Sequence, residues 1–159
     1  MADIHKVHPI KVTKDLWNSE LFGHLDMKKS IVAKVYKEPV FYYYHHNGLS
    51  KYGFDKMGFK KHFNLLGTSK TEDGREFVAI MEHKTLPVYM VQYHPEKNQF
   101  EKREFYNDLD RGYDTLRLMS GYINRFVFLI KKYSTNLRQL EDYPNELKQH
   151  LSYYKTAKN

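Results

Sequence analysis

The sequence predicts an α/β fold, in which a few mostly parallel strands form a sheet and one long helix towards the C-terminal end covers a face of it. Residues 40–46 and 88–91 are short runs of aromatic and β-branched side chains, the composition of buried strands. Residues 113–133 instead repeat apolar side chains every three and four positions, the spacing of one helix face. The 159 residues suffice for one domain with a modest core.

The composition is that of a folded, globular protein. Apolar residues make up 41% of the chain and charged residues 28%, as in globular domains. No apolar run reaches about 18 residues, so we expect no transmembrane segment. No apolar stretch of the signal-peptide kind follows the first residues. We therefore expect an intracellular protein, with organelles such as the mitochondrion included.

The charge and the cysteine count narrow the classes of function. The formal net charge is +7, but the basic residues are scattered, so we predict no specific nucleic-acid binding. A basic surface with 14 tyrosines favours protein neighbours, and we expect partner subunits in a larger complex. The chain contains no cysteine, which excludes disulfides and thiol nucleophiles. We expect no cofactor.

Residues 1–18 are predicted to form an N-terminal arm, extended at first and with a helical turn near residue 16. Ser19 is a candidate N-cap for a short helix. Residues 31–36 alternate in a pattern that favours a weak strand.

The strand predicted over residues 40–46 ends in His45 and His46, and the following Asn47-Gly48 pair is a turn signal. Two histidines are too few for a zinc site, so we predict no metal here.

Four further segments complete the middle of the chain. Residues 58–66 have apolar side chains at helical spacing and predict a short amphipathic helix. Residues 76–81 and 88–91 are expected to be neighbouring strands, as in a hairpin, and residues 97–112 to be a loop.

The helix predicted over residues 113–133 is the longest element, and its apolar stripe is expected to be core. The stripe consists of Leu116, Met119, Ile123, Phe126, Ile130 and Tyr133. Residues 134–159 are predicted to be a C-terminal helical tail that frays at its end.

His94 and Glu96 follow the last predicted strand, two positions apart. In an extended segment such positions point the same way, so the imidazole and the carboxylate can meet. A carboxylate beside an imidazole fixes its tautomer and stabilises its protonated form, as in a catalytic triad. The alternative is an ordinary histidine and glutamate at a strand end.

The segment Val91-Gln92-Tyr93-His94-Pro95-Glu96-Lys97 resembles the histidine-and-glutamate signature of the gamma-glutamyl hydrolases, a branch of the class I glutamine amidotransferase-like fold. The resemblance covers residues 19–133 and is most specific over residues 59–100. It implies a partial flavodoxin-like sheet with a long C-terminal helix, between the arm and the tail.

The resemblance also implies roles for single residues. His94 would be the general base and Glu96 its orienting partner, both vestigial triad members here. His45, with His46 as the alternate, would bind substrate at the cleft. Met90 departs from the family, which commonly has glycine at that position.

The family's nucleophile is a cysteine in the first half of the domain, whereas this chain resembles the second half. The resemblance therefore implies a catalytically inactive protein that acts as a structural subunit of a larger assembly. One alternative is a chain of a split gamma-glutamyl hydrolase, completed by a cysteine-bearing partner, that cleaves folate polyglutamates. A third hypothesis is a binding module in which Tyr44, His45, His94 and Lys97 surround a glutamate-like anion.

Overall fold

The structure is a computed structural model that describes residues 3–101 and 109–134. Its strands are β1 (Asp3–His8), β2 (Lys11–Val12), β3 (Phe41–His45), β4 (Phe63–Lys70), β5 (Glu76–His83) and β6 (Tyr89–Val91). Its α-helices are α1 (Lys29–Lys37), α2 (Lys51–Lys56), α3 (Lys97–Phe100) and α4 (Tyr113–Ser134). Two 3₁₀ helices span Lys14–Asn18 and Phe59–Lys61.

Every strand pairing in the described part of the chain is antiparallel. β1 pairs with β3 in one sheet, and β2, β4, β5 and β6 form a second sheet in that order. The mixed α/β character and the long C-terminal helix are confirmed, but the prediction of mostly parallel strands is wrong. The links 71–75 and 84–88 are shorter than the roughly dozen residues that a parallel crossover needs, so β4, β5 and β6 pair as hairpins.

Main-chain hydrogen bonds join the two sheets after β6. The N–H of Gln92 donates to the carbonyl of Ala79 in β5 at 2.9 Å. Two residues later, the N–H of His94 donates to the carbonyl of Tyr42 in β3, also at 2.9 Å. The segment that carries the predicted site therefore crosses from the larger sheet to the smaller one.

The N-terminal segment is part of both sheets. β1 and β2 pair with β3 and β4, and the predicted helical turn is present as the first 3₁₀ helix. Ile10 is 2% exposed and lies against Gly67 of β4, where an added Cβ would come within 2.7 Å of Ile10 Cγ2. Glycine at position 67 thus allows the close approach of the two segments.

Three predicted elements differ in the structure. Residues 31–36 lie in helix α1, because Val32, Val35 and Tyr36 share one buried helix face, and the alternation of β-branched residues was misleading. Residues 58–66 form a 3₁₀ turn and the start of β4, and the short helix is α2 instead. The hydroxyl of Ser19 accepts the N–H of Phe22 at 2.8 Å, but a turn follows it instead of a helix.

Helix α4 confirms the predicted helix, but its buried face is rotated from the predicted stripe. The buried side chains are Thr115, Leu118, Met119, Tyr122 and Leu129. Phe126 and Ile130 are 37% and 51% exposed, so their assignment to the core is wrong. The predicted tail lies outside the described residues except for Ser134, and within the predicted loop 97–112 the structure shows α3.

Candidate functional site

The two faces of β3 have different surroundings. Tyr43 and His45 face the core, where each ring lies edge-on to Phe77, with centroids 5.2 and 5.4 Å apart. Because side chains alternate along a strand, Tyr42 and Tyr44 lie on the opposite face. This second face meets the segment that follows β6.

His94 and Glu96 meet beside Tyr42. His94 Nδ1 lies 2.8 Å from Glu96 Oε1, and the His94 ring is edge-on to Tyr42 with centroids 6.1 Å apart. The two side chains are 37% and 44% exposed, so the pair is open to solvent. An ionised carboxylate can only accept, so in the neutral imidazole Nδ1 carries the proton and Nε2 keeps its lone pair. The arrangement can therefore act as a general base through Nε2.

Two buried side chains position the turn that holds this pair. Tyr93 is 4% exposed and packs edge-on against Phe41, with ring centroids 4.9 Å apart. Asn98 is 1% exposed, and its Nδ2 donates to the carbonyls of Val40 at 3.1 Å and Asp110 at 2.9 Å. The pair lies between these two anchors, so the fold holds the main chain on both sides of His94 and Glu96.

His5, which no sequence pattern indicates as a site residue, lies on the same face of β3. His5 Nδ1 is 2.5 Å from the hydroxyl of Tyr42, and its ring centroid is 4.8 Å from that of Tyr44. The φ angle of His5 is 54°, in the left-handed region, where the register of β1 shifts against β3. The sequence separation of 37 residues hides this contact from any spacing rule.

The two histidines at the end of β3 are placed differently from each other. His45 is 8% exposed and packs among core rings, whereas His46 is exposed and lies edge-on to Tyr44 at 6.3 Å. The structure thus puts His46, the alternate, on the face that carries His94, and turns His45 away from it. A role of either residue in substrate binding stays a prediction.

Tyr122 of α4 is sensitive to the charge of this site. Burial raises the pKa of Tyr122 to about 12, and the negative charge of Glu96 contributes to the rise. The Tyr122 ring also stacks on Phe22 at 5.3 Å, so this residue belongs to the core as well. Two cavities of about 570 and 440 Å³ lie elsewhere, and neither is lined by His94 or Glu96.

Residues 3–101 and 109–134 contain neither a cluster of metal ligands nor a membrane-spanning helix. No three His, Asp or Glu side chains in this part of the chain come together as metal ligands. Within the same ranges, no helix has the combination of length and apolar character that crossing a membrane requires.

Comparison with known proteins gives partial-length matches. No protein-family model matches the chain. It is 32% identical over 72 residues to gamma-glutamyl hydrolase B of Dictyostelium discoideum, which covers 45% of this chain and 21% of that protein. It is 34% identical over 94 residues to the gamma-glutamyl hydrolases of Rattus norvegicus and Mus musculus, which covers 58% of this chain and 29% of each relative.

The chain thus spans less than a third of the length of these curated relatives. The comparisons confirm the resemblance indicated by the sequence: this chain, which contains no cysteine, is similar over about half its length to gamma-glutamyl hydrolases.

Proposed function

We propose that this chain is a catalytically inactive gamma-glutamyl hydrolase-like protein that acts as a structural subunit of a larger assembly. The observation that carries the proposal is a His94–Glu96 pair suited to serve a thiol, in a sequence without cysteine. A general base activates a nucleophile but does not replace one. The serines and threonines of the chain do not lie in a recognisable nucleophile-elbow motif.

The surface of α4 supports the structural part of the proposal. Phe126, Val127, Phe128 and Ile130 are 37–53% exposed in the C-terminal half of this helix. Neighbouring exposed apolar side chains are typical of protein interfaces. The net charge of +7 favours a partner with an acidic surface.

The second candidate function is one chain of a split gamma-glutamyl hydrolase. The 2.8 Å contact between His94 and Glu96 favours it, because this geometry leaves Nε2 available to a nucleophile from another chain. In that case a cysteine-bearing partner would complete the site, and folate polyglutamates would be the substrate.

An activity assay separates the two candidates. The purified chain is incubated with a folate polyglutamate, alone and with candidate cysteine-bearing chains, and released glutamate is measured by mass spectrometry. We expect no release of glutamate by the chain alone or together with a second chain. We also expect thiol alkylators to have no effect on the chain itself. Release that requires a second chain and is lost in His94→Ala, but not in the exposed control His24→Ala, establishes the split enzyme. Release by the chain alone contradicts both candidates.

The structural role has its own measurement. Size-exclusion chromatography of native extracts should place the 19.2 kDa chain in a much larger particle. The variant Phe126→Asp/Phe128→Asp should elute as a monomer, because it puts charges on the exposed apolar surface of α4. Elution of the unmodified chain as a monomer contradicts the structural role.

A further inference from the structure

A cavity of about 440 Å³ opens between α1 and the strands β2 and β4. Its apolar wall is formed by Pro9, Ile10, Val12, Ala33 and Tyr36. The volume lies within the range of roughly 300–1,000 Å³ that is typical of small-molecule sites. The cavity shares no lining residue with the His94–Glu96 site, so whatever it binds is independent of the proposed function.

Basic side chains at this cavity favour a ligand with negative charge. Lys11, Lys37 and Lys70 also line it, against one carboxylate, that of Glu76, which leaves a net charge of +2. All three lysines are exposed, so their apolar stems can lie along the wall while the ammonium groups stay hydrated. None of the three ammonium groups forms an ion pair with a residue that the structure describes.

Other polar groups of the wall are already engaged. Thr68 Oγ1 donates to Glu76 Oε1 at 2.7 Å, which occupies both a hydroxyl proton and the carboxylate. The carbonyl of Tyr36 in the last turn of α1 accepts the N–H of Ile10 at 2.8 Å. These bonds fix the wall and use the Thr68 hydroxyl proton and the Ile10 N–H, so the lysine ammonium groups are the donors left to bind an anion.

We propose that this cavity binds a small molecule with an apolar body and one anionic group, such as a carboxylate or a sulfonate. The apolar wall takes the body, and the ammonium groups of Lys11, Lys37 and Lys70 hold the anion at the mouth.

The test uses two fluorescent probes that share an apolar body and differ in charge. 8-Anilinonaphthalene-1-sulfonate is anionic, and N-phenyl-1-naphthylamine is its neutral counterpart. We expect the sulfonate to bind at a single saturable site about tenfold more tightly than the neutral probe, since the charge adds to the same apolar contacts.

Variants locate the binding. Ala33→Trp fills the cavity and should abolish the signal, and Lys11→Glu/Lys37→Glu should weaken sulfonate binding about tenfold. The matched control Lys60→Glu/Lys61→Glu makes the same change in net charge at exposed lysines outside the cavity and should bind as the unmodified chain does. Near-UV circular dichroism checks that each variant is folded, and the charge-reversal pair tests the proposal even where Ala33→Trp does not fold.

Three outcomes overturn the proposal. The first is the absence of saturable sulfonate binding, as when another protein segment occupies the cavity. The second is equal affinity for the neutral probe, which would show a purely apolar site. The third is equal weakening by the cavity and control charge reversals, which would show an effect of net charge alone.

Discussion

Glu20 and Glu96 are both partly exposed carboxylates, with 28% and 44% of the side chain in solvent, yet their partners differ. Glu20 accepts from the Tyr89 hydroxyl at 2.6 Å, from Lys132 Nζ at 2.7 Å and from the Tyr133 hydroxyl at 2.8 Å. The side chain of Glu96 bonds to His94 alone among the described residues. The Glu20 carboxylate thus receives hydrogen bonds from three side chains of the fold, whereas the Glu96 carboxylate has one side-chain partner among the described residues.

A second carboxylate, that of Glu82, binds the main chain at Glu20. Glu82 of β5 is 7% exposed, and its two oxygens accept the N–H groups of Glu20 at 2.9 Å and Leu21 at 3.2 Å. We call Glu20 and Glu82 the acidic anchor, because together they tie the turn at residue 20 to β5, β6 and α4. The comparison teaches that the number of donors around a carboxylate separates one that holds the fold together from one that remains accessible to solvent.

The largest expected effect comes from breaking the acidic anchor. Glu82→Ala leaves the N–H groups of Glu20 and Leu21 without their acceptor, and we expect a loss of about 3 kcal/mol in the free energy of unfolding. Urea denaturation measures it. Glu82→Gln keeps one side-chain acceptor and should lose about half as much. If Glu96→Ala costs as much as Glu82→Ala, the distinction between the two sites is wrong.

The acidic anchor should also make stability depend on pH. Burial raises the pKa of Glu20, but hydrogen bonds from Lys132, Tyr89 and Tyr133 outweigh it and lower the pKa from 4.5 to about 2. A carboxyl whose pKa is lower in the folded state stabilises the fold above its unfolded pKa, and this contribution is lost as the pH falls from about 5 to 2. We expect a loss of about 2 kcal/mol, after allowance for solvent screening.

Denaturation at a series of pH values measures this dependence. The difference in stability between the unmodified chain and Glu20→Gln should shrink as the pH falls over that window, because protonation makes the two side chains alike. A difference that stays constant from pH 5 to pH 2 shows that the charge of Glu20 does not stabilise the fold.

Local patterns in the sequence predicted part of this fold. The aromatic run at β3, the strands β5 and β6 and the length of α4 follow from composition and periodicity, which neighbouring residues determine. The antiparallel pairing of β2 with β4, and of β1 with β3, depends on residues far apart in the chain. Residues 31–36 form part of helix α1 and not the predicted strand, because packing overrides the strand preference of the β-branched Ile31 and Val35.

The candidate site shows the same limit. The spacing of His94 and Glu96 predicted their contact because two residues of one turn cannot lie far apart. His5 and Tyr42 meet only through strand pairing, so no local pattern indicates their contact. The resemblance favours His45 over His46, whereas the face of β3 that meets the core, which buries His45, depends on packing that the local sequence does not determine.

The smallest expected effect concerns Glu96 as the hydrogen-bond partner of His94. Glu96→Ala should change the free energy of unfolding by less than about 1 kcal/mol, because the pair is well exposed. The substitution should nevertheless change the tautomer of the neutral His94 ring, because the Glu96 carboxylate is the acceptor that holds the proton on Nδ1. Nitrogen-15 NMR of the imidazole distinguishes the two tautomers. We expect protonated Nδ1 in the unmodified chain and a shift towards protonated Nε2 in the variant.

The control Glu38→Ala removes an exposed carboxylate at the end of α1 and should leave the His94 signals unchanged. An identical tautomer in Glu96→Ala and in the unmodified chain would show that Glu96 does not orient His94, and the pair would then be an ordinary surface contact.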